Sequence, residues 1–527
     1  MLVDDLSTLK DISIDPDSVI VIGGGAVGLH FAVQLVRRGR KVVVLEAGSN
    51  KLDSFHDEAY EVVGRKHDGI SIGRSVALGG TSNLWGGQLV EFMPIDLQGR
   101  DWLPGSTWPL SYKELKQQFG PTYDALGIDS DLQADGSVWS GIKKEPPQLS
   151  ENLEVFLTRW LKQPNIATHY QEEINGNPDL IVGLKATAIG FVGEPGRLTG
   201  VRVVDSEGVE LVVNGAQIVL AAGTIENARL LLHTAHEAPD QSPWAGNEHV
   251  GRWFQDHING RLALIKPRNS KAFYDTFCTI VHRKHKFQPK VRTRNEALQS
   301  KENLNILAMI AFESSISENF IFLKQFVKAA LNGQKFGSVH ELVKNGFACS
   351  RHMIPLMWKF IVEHRILIPS GSRIALTVQA EVQPMFDSRI AIDVGKRDRF
   401  GLPKVLLDWR LSGRELEDLH EFTLRVEQAF RDADLADLQI EPKLLAKDPV
   451  FLDSMRDTNH HSGGCVMGDS PEDGVVDSDL RVFGVDNLYV AGASVYRTSS
   501  NANTTFTAMA LATRLADRLA GTTNATH

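Results

Sequence analysis

Cysteine is scarce in this chain. Its 527 residues hold three, Cys278, Cys349 and Cys465, far apart and odd in number. That excludes a disulfide framework and any CxxC metal pattern. Long apolar runs are missing too: none approaches the ~18 residues of a membrane span. The opening stretch "MLVDDLSTLKDISIDPDS" is acidic and lacks the apolar core of a signal peptide. Positive charge is in deficit, with a net charge of −9 and a pI near 6.0, which argues against a nucleic-acid partner held through phosphates. These absences predict a cytoplasmic protein with no membrane span. The acidic balance serves solubility or suits a neutral or cationic small molecule.

Glycine, by contrast, sits where it carries information. In "SVIVIGGGAVGLHFAVQLVRRGRKVVVLEAG" a buried apolar run, Val19 to Ile22, leads into Gly23, Gly25 and Gly28 in GxGxxG spacing. A helical pattern follows to Val36, then a second apolar run from Val42 to Leu45 that closes on Glu46. In such a βαβ unit the first glycine allows the tight turn and the second lets backbone approach a pyrophosphate. The third lets helix and sheet pack closely, and an acid about 20 residues on accepts from the adenosine ribose. The helix N-terminus adds unpaired N–H groups for the pyrophosphate. Strand, helix, second strand and acid together predict a dinucleotide site. The motif alone leaves NAD and FAD open.

Two further strand-to-glycine junctions occur, at "AQIVLAAGTIENARLLL" and "DNLYVAGASVY", the second followed by the helical "TAMALATRLADRL". Three junctions spread so widely predict one nucleotide domain built from discontinuous segments, which favours FAD. The expected fold is α/β (α+β overall). A Rossmann-type FAD-binding domain would take residues 1–105, 178–260 and 445–527, and an inserted antiparallel-sheet-plus-helices substrate domain 106–177 and 261–444. Two amphipathic stretches, "ENFIFLKQFVKAAL" and "MIPLMWKFIVEH", are expected to pack on that second sheet; a lid, a dimer arm or a membrane-surface contact stays open. The basic run from His282 to Lys301, including Lys290, reads as a solvated face, with an anionic-substrate lid as the alternative.

From "SIGRSVALGGTSNLWGGQ" onward the chain resembles the glucose–methanol–choline (GMC) oxidoreductases, FAD enzymes that oxidise alcohols. "GSTWPLSYKELKQQF", "AAGTIENARLLL", "VGRWFQDH" and "EVQPMFDSRIAID" resemble its sugar-oxidising branch of pyranose oxidases, fructose dehydrogenases and glycoside 3-oxidases. The likeness is weakest between about residues 269 and 367. It implies cofactor contacts at Gly80, Thr81, Ala188, Gly492, Ala493 and Thr504; Trp85 would wall the flavin or fill the core. Several members attach FAD covalently through a histidine before the tryptophan. Leu84 occupies that position here, so the expected FAD is non-covalent.

Oxidising an alcohol to a carbonyl removes the hydroxyl proton and passes the carbinol hydride to flavin N5. A neutral imidazole suits the proton, since its ordinary pKa of ~6.5 lies near operating pH. The family frame H-x-x-G-(T/G)-x-x-M, set on "HHSGGCVMG", places the base at His460, with Gly463 and Met467 in register and His461 at a variable position. "TSSNANTTFTAMALA" resembles the branch's T-S-x-x-A-N-P-T and puts a hydroxyl ligand at Asn503, with Thr504 in place of proline. Asn503 could equally be a helix N-cap. Gln383 and His461 are the substrate-contact candidates. A zinc site from the paired histidines and Cys465 lacks further ligands, so no metal is expected. A Cys465 nucleophile lacks an acyl substrate and an orienting third group.

The resemblance thus implies oxidation of a sugar or glycoside hydroxyl, with O2 or another acceptor regenerating the flavin. A primary alcohol of an aminosugar is the alternative, and a sterol-like alcohol a more distant one. Self-association into a homo-oligomer stays open.

Overall fold

A computed structural model describes residues 1–52, 57–313, 338 and 372–521. The amphipathic stretches at 318–331 and 353–364, and Cys349, lie outside the described residues.

Val19–Ile22 forms a strand with all four side chains buried, as expected for a parallel strand covered on both faces. It pairs in parallel with Val42–Leu45 on one side and Gln217–Leu220 on the other. The complete parallel sheet runs in the order Leu2–Val3, Leu180–Gly183, Val42–Leu45, Val19–Ile22, Gln217–Leu220, Leu488–Val490. Strands from four distant regions therefore converge, and all three glycine junctions open at the same end of the sheet. The helix Ala26–Val36 packs against Thr504–Gly521, the last helix. Buried His30 between them is satisfied at both nitrogens, by Tyr170 Oη at 2.8 Å and Thr513 Oγ1 at 2.9 Å.

A second sheet is antiparallel. Its strands run in the order Ala436–Ile440, Ile258–Pro267, Arg373–Ala380, Ile306–Glu313, His285–Thr293, Leu153–Trp160, Gln88–Leu89, with Ile280–His282 paired onto His285–Thr293. The helix Arg414–Asp432 covers it with Phe422, Val426 and Phe430. A three-stranded meander, Thr187–Glu194, Arg197–Val204 and Glu210–Asn214, follows the second strand of the parallel sheet. The architecture is thus a Rossmann-type parallel sheet with a large antiparallel sheet beside it. No helix among the described residues is long and apolar enough to cross a membrane.

Candidate active site

The glycine junctions leave room where backbone must come close to a ligand. Gly23 has φ +106°, and a Cβ there would lie 2.6 Å from the Ala221 carbonyl oxygen. A Cβ on Gly28 would sit 2.0 Å from Gly23 O, so only glycine lets this helix meet the turn. Gly25, by contrast, faces open space, with nothing nearer than Gly80 Cα at 3.9 Å. Gly28→Ala should cost ~1–3 kcal/mol through overpacking. We expect the purified variant to bind FAD roughly 5- to 150-fold more weakly, read from its absorbance ratio at limiting FAD.

Glu46, buried at the end of its strand, accepts from Gly24 N at 2.7 Å and Gly48 N at 2.8 Å. Burial pushes its carboxyl up to about 7 against the pull of those two bonds. Each oxygen keeps a second lone pair for a ribose hydroxyl. Ala188 sits at the start of the meander, two residues after Ala186, whose N–H donates to Glu46 O at 2.8 Å.

The loop carrying Gly80 docks directly on this turn: Gly79 N donates to Gly24 O at 2.8 Å. A Cβ on Gly80 would reach 2.8 Å from Gly25 Cα. Thr81 is exposed, and Trp85 is half-buried with Nε1 donating to Pro164 O at 2.6 Å. At the third junction Gly492 (φ +133°) would offer a Cβ nothing closer than Asn227 Nδ2 at 3.9 Å. Ala493 follows it, and Thr504 opens the last helix. Asn227, which sequence reasoning passed over, ties two junctions together. Its Oδ1 accepts from Ala222 N at 2.9 Å and its Nδ2 donates to Ser494 Oγ at 3.0 Å. Open cradles at Gly25 and Gly492, a buried acid and a helix N-terminus fit a dinucleotide such as FAD.

The histidine segment hangs on the same junction. Gly463 N donates to Ala493 O at 3.1 Å, Cys465 N to Ser494 O at 2.9 Å and Met467 N to Val495 O at 3.0 Å. On its other side Ser462 and Gln255 exchange backbone bonds of 2.9 Å each way. Gly463 has φ +80°, and a Cβ there would lie 1.9 Å from Trp253 O, which explains the glycine in the family frame. Buried Cys465 has its thiol pushed far up by burial, so it is inert as a nucleophile.

This docking brings His460 Nε2 to 3.2 Å from Asn503 Nδ2. On the far edge of the ring, His460 Nδ1 meets His257 Nδ1 at 3.0 Å and Thr458 Oγ1 at 2.9 Å. His257 Nε2 faces the Ser499 carbonyl at 3.0 Å, so it donates there and its Nδ1 is bare. Thr458 spends its hydroxyl proton on Asp256 Oδ1 at 2.9 Å. Both neighbours of His460 Nδ1 are thus acceptors, the proton sits on Nδ1, and the unprotonated Nε2 accepts from the Asn503 amide. Burial, then His257, pushes His460 down to about 3, so the ring is neutral. Asn503 Oδ1 is buried and makes no hydrogen bond, so the side chain does not cap the last helix.

Asp256 and His257, which close "VGRWFQDH", carry no signal of a role in the sequence. Fully buried Asp256 also accepts from His460 N at 3.0 Å and pairs with His67 Nε2 at 3.1 Å. Burial opposes its charge, but the His67 bond and the neighbouring histidines hold it below the usual carboxylate range. His461 turns away from Asn503, with Nε2 3.6 Å from Asp256 Oδ2 and its ring against His67 and Phe254. Gln383 lies beyond the strand Arg373–Ala380, in a loop where its N–H donates to Glu415. Gln379, within the strand, reaches the C-terminal segment instead, with Nε2 2.7 Å from Asn501 O.

A family model for GMC oxidoreductase matches residues 386–512, which include both His460 and Asn503. Over that C-terminal quarter, which holds the candidate pair, the chain is similar to the GMC oxidoreductases. A pyridine nucleotide-disulphide oxidoreductase model matches residues 3–73, the first βαβ unit. The 2-methyl-1,2-propanediol dehydrogenase of Mycolicibacterium austroafricanum is 23% identical, covering 96% of this chain and 95% of its own. A C-glycoside 3-oxidase of Arthrobacter globiformis is 30% identical over 28% of this chain and 27% of its own length. Among solved structures, pyridoxine 4-oxidase from Mesorbium loti shares the fold, with a TM-score of 0.59 at 17% identity, covering 95% of this chain and 99% of that one. These likenesses make the chain an oxidoreductase acting on alcohols, and the family matched at its C-terminal end consists of FAD flavoproteins.

Proposed function

We propose that this enzyme oxidises a ring hydroxyl of a sugar or glycoside to a keto-sugar, with His460 as base and Asn503 as hydroxyl ligand. The observation that carries the assignment is the fixed tautomer of His460, which aims an unprotonated Nε2 at the Asn503 amide, 3.2 Å away. A substrate hydroxyl that replaced this bond would give its proton to Nε2 and accept from Nδ2. Asp256, through Thr458 and the His460 backbone N–H, holds the ring in place and favours the imidazolium that forms. FAD, when bound, supplies the acceptor for the carbinol hydride. Gly23, Gly25, Gly28, Glu46, Gly80, Thr81, Trp85, Ala188, Gly492, Ala493 and Thr504 would hold it.

The partial similarity to a C-glycoside 3-oxidase supports the sugar reading. The full-length similarity to a diol dehydrogenase favours a small diol as the second reading. Anaerobic mixing with glycosides, free sugars, aminosugars and 2-methyl-1,2-propanediol separates them by which compound bleaches the flavin. Bleaching by the diol and by no carbohydrate would sink the sugar reading. Readmitting air then distinguishes oxidase from dehydrogenase by the speed at which colour returns.

Leu84, 46% exposed in the flavin-side loop, has no atom able to bond the isoalloxazine. The FAD should therefore leave with the supernatant when the protein is precipitated by acid. Yellow colour staying in the pellet would mean a covalent link at some other residue.

A further inference from the structure

The strand His285–Thr293 carries the basic run that reads, from sequence, as a solvated face. Lys290 contradicts that reading, because its side chain has no solvent exposure. It stands opposite Phe156 in the antiparallel sheet. Its Nζ donates to Gln88 Oε1 at 2.9 Å. Gln88 is fixed in turn, donating from Nε2 to Thr158 Oγ1 and to Gln288 Oε1, both at 2.9 Å. Gln88 ends the loop that begins at Gly80 against the dinucleotide turn and joins the edge of the same antiparallel sheet, so Lys290 holds the far end of that loop. On the same sheet face Arg292, Leu307 and Gln379 stand in register, and Gln379 reaches Asn501 O at 2.7 Å, two residues before Asn503.

An ammonium has three donors, and among the described residues one is used, on a neutral amide. A buried cation without an anion is costly, and burial alone holds Lys290 down to about 7. Among the described residues no carboxylate bonds Lys290; Glu154, on the same sheet face, is held by Arg292 at 2.7 Å. An anion arriving with the substrate would use the two free N–H groups and convert a lone charge into a hydrogen-bonded ion pair. The neighbouring Arg292 is already spent on Glu154 and on the Phe156 ring, so a lone ammonium is left, which suits a singly charged carboxylate better than a phosphate, which takes bidentate guanidinium forks.

We propose that Lys290 is a second substrate anchor that receives a carboxylate, so that the preferred substrates are sugar acids or their glycosides, oxidised at a ring carbon away from the acid. The proposal rests on the sugar reading of the same site. It is tested on the full-length, FAD-loaded enzyme with a matched pair, methyl glucuronide and methyl glucoside, in anaerobic flavin reduction. Cyclohexanecarboxylate, a ring acid with no hydroxyl to oxidise, serves as a binding probe read from the flavin spectrum.

Wild type should bind the glucuronide roughly 10- to 100-fold more tightly than the glucoside, as for a charge-assisted bond. Lys290→Met should bring that ratio close to one and abolish the cyclohexanecarboxylate signal, and Lys290→Arg should restore part of both. The methionine variant removes an unpaired charge and should fold; retained flavin and an unchanged circular dichroism spectrum check this, with Lys290→Gln as a second neutral replacement. No preference in wild type, an undiminished preference in both neutral variants, or tighter binding of glucose 6-phosphate than of the glucuronide would overturn the anchor. If the glucoside reduces the flavin but the acid group adds nothing, the anchor fails and the sugar reading stands. If neither sugar reduces the flavin yet cyclohexanecarboxylate binds in a Lys290-dependent way, the sugar reading fails and the anion site stands.

Discussion

His460→Ala should keep its FAD and lose ~10²–10⁴-fold in the limiting rate of flavin reduction, the usual worth of a positioned general base. The ring touches His257, Thr458 and Asn503 and none of the glycine junctions, so its removal spares the cofactor. His461→Ala should lose less than roughly tenfold, since its Nε2 faces Asp256 at 3.6 Å and not Asn503. Rapid-mixing spectroscopy of the two variants decides between them, and the reverse pattern would move the base to His461. The pH profile gives a second check. Only the neutral ring accepts a proton, and burial holds His460 down to about 3. The limiting rate should therefore stay flat as pH falls through the ordinary histidine range near ~6.5. It should drop only in far more acidic solution. A clean inflection near neutrality from this residue would contradict the buried, Nδ1-protonated ring.

Asp256→Asn should weaken both stability and rate. The carboxylate accepts from Thr458 Oγ1, from His460 N and from His67 Nε2. An asparagine can serve one side of that set, but its amide N–H groups then face a donor on the other. An unsatisfied buried donor costs about 1–3 kcal/mol, visible as a lower unfolding midpoint. Losing the negative charge also removes support for the His460 imidazolium. That should slow flavin reduction by a further ~10- to 100-fold, or about 1.4–2.7 kcal/mol of barrier. Thermal unfolding and flavin reduction on the same preparation separate the two effects. A variant that unfolds earlier but reduces its flavin at the wild-type rate would leave Asp256 a purely structural group.

How much of this was legible depends on how local each signal is. The first βαβ unit was read to the residue, Val19–Ile22 and Val42–Leu45 included, because buried strands and glycine turns are set by near neighbours. The meeting of His460 with Asn503 came from a family frame, and no periodicity in either segment would have given it. Asp256 and His257 were missed because a polar pair before a strand looks like an ordinary strand entry. Their burial depends on two remote segments folding over them. Lys290 was misread for a related reason. Lys286, Gln288, Lys290 and Arg292 alternate as a solvated strand face does, and nothing local says that part of this face turns inward on Gln88. Gln383 and Gln379 differ by four positions, and only the end of the strand at Ala380 separates a loop residue from one that reaches Asn501.

The strand order of the parallel sheet also fixes a timetable. Gln217–Leu220 is flanked by Val19–Ile22, made early, and by Leu488–Val490, made almost last. At ribosomal speeds of ~5–20 residues per second, the first glycine turn waits roughly half a minute to a minute and a half for its final strand. Until then Gln217–Leu220 is an open apolar edge, the kind that recruits other chains. Asn227 can bond Ala222 during that interval but must wait for Ser494. A nascent chain stalled before residue 486 therefore lacks the strand and turn that carry Gly492 and Ala493, and presents an aggregating edge along Gln217–Leu220.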